Sequence, residues 1–309
     1  MVSKQVMLKK IGATGLVIFL LVVVLLAVAW LTPSNSEDGM TKDIGISAPG
    51  LTAIDYSSVP QAIIDDAVGL AGELVGHSQQ KLQRLADQLV ATYLEARNKD
   101  VIVIFNSGGW GWSTARQGEG WATIIDGIRS QLDDLGYSSA VVNYRRTSGG
   151  LWGCIKEFIE AARRYPHKAR DLAMRVEFLT DHLPGLKIIV AGESTGTVIT
   201  DKTMAFLKDK SQVYSIQTGM PFWNSPVTFD RTLLVNSNGK GIDTFSRGNV
   251  PAMVWATFKS WLGLSSPDDV PGDILSWLKA PGHDYSWQYP GVYDQVIKFL
   301  DQNFDKKRP

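Results

Sequence analysis

The sequence predicts an α/β fold: a mostly parallel sheet with helices on both faces. Three observations predict it. First, Val101-Ile102-Val103-Ile104-Phe105 is a continuous apolar run between Asp100 and Asn106-Ser107-Gly108-Gly109. A strand buried on both faces of a parallel sheet has that pattern. Second, further short apolar runs follow at Ser139 to Tyr144, Lys187 to Ala191, Val213 to Gln217 and Thr232 to Val235. Third, segments with three- and four-residue apolar spacing separate these runs, so strand and helix alternate.

Taken in order, residues 1–10 carry Lys4, Lys9 and Lys10 and form a short tail. Residues 11–31 hold no charge and are rich in Val, Leu and Ile. As a helix they reach roughly 30 Å, the thickness of the hydrocarbon core, and predict a transmembrane anchor. The lysines before it and Glu37 and Asp38 after it place the amino terminus in the cytoplasm and the remainder outside. Ala27-Val28-Ala29 resembles a signal-peptidase site, so a cleaved signal peptide is the competing reading. Residues 32–56, with Pro33, Gly39, Gly45 and Pro49, have linker composition.

Residues 57–309 read as one domain opened by a helical prefix, 57–98. In that prefix Ile63, Ile64, Val68, Leu74, Leu82, Leu85 and Leu89 predict two amphipathic helices broken near Gly76. Helices are also predicted over Trp121 to Leu135 and over Trp152 to about Leu183, the latter broken near Pro166. Two more follow at Thr197 to Leu207 and Tyr293 to Phe304. Ile274 to Leu278 reads equally as a last strand or as helix.

Composition narrows the function. Of 309 residues, 44% are hydrophobic and 20% charged, which suits a packed domain. The formal net charge is zero, so nothing favours nucleic acid. Cys154 is the lone cysteine and excludes an internal disulfide. His77 has no metal-ligand spacing around it, and His167 and His182 lie in a helical stretch. No metal or other cofactor is expected. No P-loop is present, and Gly109-Trp110-Gly111 does not continue to a dinucleotide fingerprint.

Chemistry concentrates at Gly192-Glu193-Ser194-Thr195-Gly196, where the Lys187 strand breaks into a polar turn before a helix. G-x-S-x-G alone is weak, since a chain of this size holds on the order of 0.1 to 0.2 matches by chance. Its setting is more specific. A serine at a strand-to-helix turn is pushed into αL-like geometry, with its hydroxyl clear of the sheet. Active groups in parallel sheets gather at the carboxyl ends of the strands. There Ser194 is followed by Asp243, after the Thr232 strand, and by His283, before the final helix.

The elbow, the later acid and the late histidine, in the order Ser, Asp, His, resemble the α/β-hydrolase superfamily over roughly Asp100 to Phe304. That resemblance implies Ser194 as nucleophile, His283 as general base and acid, and Asp243 as the carboxylate orienting the imidazole. Asp268, Asp269 and Asp284 are alternative acids. Oxyanion donors fall to the Thr195 amide at the helix start and to Gly109 or Trp110 in the glycine-rich loop. That loop resembles the oxyanion loop of esterases without its initial histidine.

Trp110, Trp112, Phe222 and Trp223 are candidates to wall an apolar substrate pocket. Met253, Trp255, Phe258, Trp261 and Leu262 form an apolar stripe read as core packing; Arg145 and Arg146, which follow a strand, read as solvated or ion-paired surface groups, with a substrate carboxylate or phosphate as the alternative partner. The expected function is a membrane-anchored serine hydrolase that cleaves an ester, thioester or related acyl bond of a small or lipid-like substrate via an acyl-enzyme on Ser194. The alternative is a non-catalytic domain of the same fold that binds a lipid, a surface ligand or a protein.

Overall fold

The structure is a computed structural model that describes residues 45–47, 55–75, 78–147, 150–227, 229–266, 269–275 and 277–305. The predicted anchor at 11–31 lies outside the described residues, as do His77 and Asp268. No described helix is long and apolar enough to cross a membrane.

The strands are β1 (Gly45–Ser47), β2 (Val101–Asn106), β3 (Ser139–Arg145), β4 (Lys187–Glu193), β5 (Val213–Thr218) and β6 (Thr232–Val235). They form one sheet in the order β1-β3-β2-β4-β5-β6. Strands β2 to β6 pair in parallel, with Val101 opposite both Ser139 and Lys187. β2 and β4 are the central strands. Accordingly every residue of β2 is buried, whereas β3, next to the edge, alternates between buried and half-buried.

Strand alternation divides the core into two layers. Ile102, Ile104, Val142, Ile188 and Val190 face one side. There they meet α1 (Gln61–Val75), α2 (Gln79–Ala96), α5 (Pro166–His182) and α6 (Thr195–Phe206) through Ala67, Leu89, Leu172, Val176 and Val198. Val101, Val103, Phe105, Ile189, Ala191 and Ile216 face the other side. They pack on α3 (Glu119–Asp134) and α8 (Pro290–Phe304) through Trp121, Ile124, Ile128, Val296 and Leu300. The predicted two-faced α/β sandwich is what the chain forms. Both prefix helices join the first layer.

Helix α4 (Gly150–Ala162) is separated from α5 by Arg164 and Tyr165, both at positive φ, and Pro166 then opens α5. Helix α7 (Val250–Trp261) starts on Asn249, whose side chain accepts from the Ala252 amide.

The segment 32–56 is not linker throughout. Gly45–Ser47 adds an antiparallel edge strand, with Gly45 opposite Arg145 and Ser47 opposite Asn143. In the predicted segment Ile274 to Leu278, the described residues form neither a helix nor a final strand of the main sheet. They belong to a hairpin of β7 (Asp273–Leu275) and β8 (Leu278–Lys279), with a register irregularity between Asp273 and Leu275. The stripe on α7 is also different from expectation. Met253 is buried, but Trp255, Phe258, Trp261 and Leu262 are exposed.

Candidate active site

β4 delivers Ser194 to the carboxyl edge of the sheet, and α6 begins at the next residue. Ser194 has φ +48° and ψ −121°, so its φ is positive as expected but its ψ is far from αL. The sharp reversal from strand to helix within one peptide demands that combination, a strained backbone for a residue with a side chain. Gly196 makes the reversal possible. A Cβ there would lie 2.2 Å from the Asn106 carbonyl oxygen and 2.7 Å from that of Ser107, both backbone atoms at the end of β2.

The loops after the strands bring three of the predicted residues into a row. His283 Nε2 lies 3.0 Å from Ser194 Oγ, and His283 Nδ1 lies 2.9 Å from Asp243 Oδ2. All three are buried. Among the alternative acids, Asp269 is exposed and pairs with Lys259, and Asp284 accepts from Tyr289. The carboxylate on the imidazole is therefore that of Asp243.

Asp243 is held from every side. Phe245 and Ser246 donate their amides to Oδ1, while the Ser246 hydroxyl at 2.8 Å and the Tyr285 hydroxyl at 2.6 Å donate to Oδ2. Burial pushes its pKa up, but hydrogen bonds from His283 and Tyr285 and the attraction of His283 bring it down to about 2. The carboxyl is thus ionised throughout the neutral range. For Tyr285 the effect is opposite: burial and the Asp243 charge raise its pKa, which keeps it a donor. With Nδ1 donating to Asp243, Nε2 is left as an acceptor facing the serine hydroxyl.

The glycine-rich loop after β2 is held by Arg146, which is fully buried rather than on the surface. Its Nε donates to Glu157 at 2.6 Å, one Nη to Asn106 at 2.9 Å and to the Ser107 carbonyl, and the other to the Gly109 carbonyl at 2.8 Å and Thr195 Oγ1 at 2.9 Å. Burial opposes its charge, but Glu157, together with Tyr165 and Tyr144, outweighs this and its pKa is raised. Arg145 instead donates to the Trp112 carbonyl. Gly111, at φ +76°, leaves room for the guanidinium, since a Cβ would stand 2.3 Å from Arg146 Cγ.

Because the Gly109 carbonyl points to Arg146, the trans peptide turns the Trp110 amide the opposite way. Thr195 Oγ1 also donates to the Gly109 carbonyl at 3.0 Å, tying the start of α6 to this loop. The Thr195 amide lies in the first helical turn, where N–H groups lack intrahelical acceptors and the helix dipole is positive. The Gly108 amide is taken by Glu193 at 3.1 Å, and burial raises the pKa of that carboxyl.

Two cavities flank the Gly109-Trp110 turn. One, of about 830 Å³, is lined by Ser194, His283, Gly109, Trp110, Trp112 and residues of the β7–β8 hairpin. The other, of about 470 Å³, is lined by Trp110, Trp223, Phe158, Ala161, Tyr165 and Thr195. Trp110, Trp112 and Trp223 therefore wall these spaces. Phe222 lines neither: half-exposed, it packs edge-on against Trp223 and Phe245. Among the described residues no group of three or more His, Cys, Asp or Glu side chains is placed to hold a metal ion.

Tyr285 and Ser246 are contributors the sequence does not single out, and Arg146 contributes from a buried position the sequence does not indicate. Tyr285 had a signal, because a residue two positions from His283 in extended chain faces the same way. Arg146 had none, since its partner Glu157 lies on another element.

No protein-family model and no curated protein matches the chain. Among solved structures, a Trichoderma reesei cutinase in complex with a C11Y4 phosphonate inhibitor is similar over 80% of this chain and 94% of that one, at 13% sequence identity and a TM-score of 0.43. A likeness this slight has no bearing on activity.

Proposed function

We propose that the chain is a serine hydrolase of the α/β-hydrolase type, cleaving an ester, thioester or related acyl bond through an acyl-enzyme on Ser194. The observation that carries this reading is the hydrogen-bonded row Ser194–His283–Asp243 opening on the larger cavity. In the first half-reaction the Ser194 hydroxyl attacks the acyl carbon while His283 Nε2 takes its proton. His283 then returns that proton to the departing alcohol or thiol. Water repeats the sequence on the acyl-enzyme and releases the acid.

The amides of Thr195 and Trp110 are the assigned oxyanion donors, each worth about 2.7–4 kcal/mol in such sites. The mostly apolar 470 Å³ cavity suits the acyl chain, and the larger one the leaving group. No cofactor takes part in these steps. In the same reading, residues 11–31 anchor the chain in a membrane, with the hydrolase domain on the extracytoplasmic side. The alternative of a purely binding domain would be favoured by a serine and histidine out of reach of each other; at 3.0 Å they are within it.

An active-site-directed fluorophosphonate tests the proposal. It is expected to add one adduct per chain, mapped by peptide mass to Ser194. An unmodified chain, or an adduct elsewhere, would overturn the reading.

A further inference from the structure

Helix α7 is apolar on both sides. Its inner side buries Met253 and Thr257 against the domain. Its outer side carries Val250, Val254, Trp255, Phe258 and Trp261, with Leu262 just past its end, and all six are more than a third exposed. Trp255 and Trp261 are each 61% exposed. Isolated exposed apolar residues are ordinary, but a continuous helical stripe with two tryptophans marks an interaction surface. Amphipathic tryptophan rings are enriched where lipid meets water.

The course of the chain indicates which surface this is. Because β1 runs antiparallel to β3, Gly45 sits beside Arg145, at the carboxyl end of the sheet. The described chain therefore begins, at Gly45, at the end of the sheet where Ser194 lies. Only residues 32–44 separate Gly45 from the apolar residues 11–31, a stretch that reaches at most about 45 Å. The six-stranded sheet is about 24 Å across, at about 4.8 Å per spacing. α7 belongs to the same end: it follows the Asp243 loop, and Trp261 lines the larger cavity and donates to the Trp277 carbonyl at 3.2 Å.

We propose that the outer face of α7 lies on the lipid interface of the bilayer that residues 11–31 enter, with the cavity mouth turned toward the lipid. The proposal rests on the membrane-anchored reading above. It makes the acyl substrate one that is presented at the lipid surface. Lysine is no obstacle, since Lys259, the one charged residue of α7, is drawn aside by Asp269 at 2.6 Å.

Spin labels on the full chain in phosphatidylcholine liposomes test it. Val254→Cys, Trp255→Cys and Phe258→Cys would be labelled one at a time in a Cys154→Ser background. Asp133→Cys, exposed near the end of α3 at the amino ends of the strands, serves as reference. At the three α7 positions, collisions with oxygen relative to a water-soluble nickel chelate are expected to be several-fold higher than at position 133. A ratio equal to that at 133 means water covers the helix, and overturns the proposal. Few collisions with either reagent mean that protein covers it, a second copy or residues 11–31, and overturn it too. A chain that does not float with the liposomes removes the anchor itself, a failure distinct from the other two.

Discussion

Ser194→Ala is expected to lower kcat for a soluble p-nitrophenyl ester by about a millionfold while leaving the far-ultraviolet circular dichroism unchanged. The size follows from the loss of the covalent route: removing the serine of such a triad costs on the order of 10⁶, and oxyanion stabilisation and binding leave a residue of roughly 10³–10⁴ over water. The fold should survive, because the φ of +48° is no worse for alanine than for serine and the reversal is held by other atoms. Those are the close fit of Gly196 under Asn106 and the Thr197 hydroxyl bond to the Ser194 carbonyl at 2.6 Å. Steady-state turnover with matched spectra checks both halves. A variant that keeps more than a percent of wild-type turnover would remove Ser194 from the mechanism.

Asp243→Asn is expected to cost about 10⁴ in kcat, through loss of the charge and of the tautomer that leaves His283 Nε2 free to accept. It also has a signature in stability. The Asp243 carboxyl has a pKa near 2 in the fold against an ordinary 3.8. A depressed folded value means that ionised Asp243 stabilises the fold above pH 3.8, and that this contribution fades as pH falls from 3.8 through 2. The shift corresponds to about 2 kcal/mol. Urea unfolding of the wild type between pH 4 and 2 should therefore lose about that much more than the Asn variant does over the same window. Equal slopes would place the stabilisation on other carboxylates.

Much of this arrangement is legible in the sequence. The runs Val101 to Phe105 and Ile188 to Ala191 are unbroken because central parallel strands are buried on both faces, and an unbroken apolar run is a strong signal. Ser194, Asp243 and His283 stand out because each follows or precedes a recognisable element at the carboxyl edge. What escapes has weak local pattern. β1 is three residues with one apolar side chain, Ile46, in a Gly-containing stretch, and it pairs on one side only, so no apolar run marks it. The β7–β8 hairpin lies off the main sheet and is equally short.

Burial of charge is the hardest feature to read. Arg146 follows a strand, where a surface position is the usual outcome, yet it anchors the loop between Asn106 and Gly109. Its partner Glu157 comes from α4, and only the assembled sheet brings them within 2.6 Å. α7 misleads for the opposite reason: apolar spacing at three and four does not say whether protein, lipid or water covers the outer face.

In the proposed mechanism Ser194 carries the acyl group during turnover. The most direct measurement is the mass of the Ser194 peptide from enzyme quenched in acid during hydrolysis of an excess of ester. An increment equal to the acyl group is expected on Ser194 alone, disappearing once substrate is consumed. Substrate turned over with every peptide at its unmodified mass, together with no initial burst of released alcohol, would contradict that mechanism.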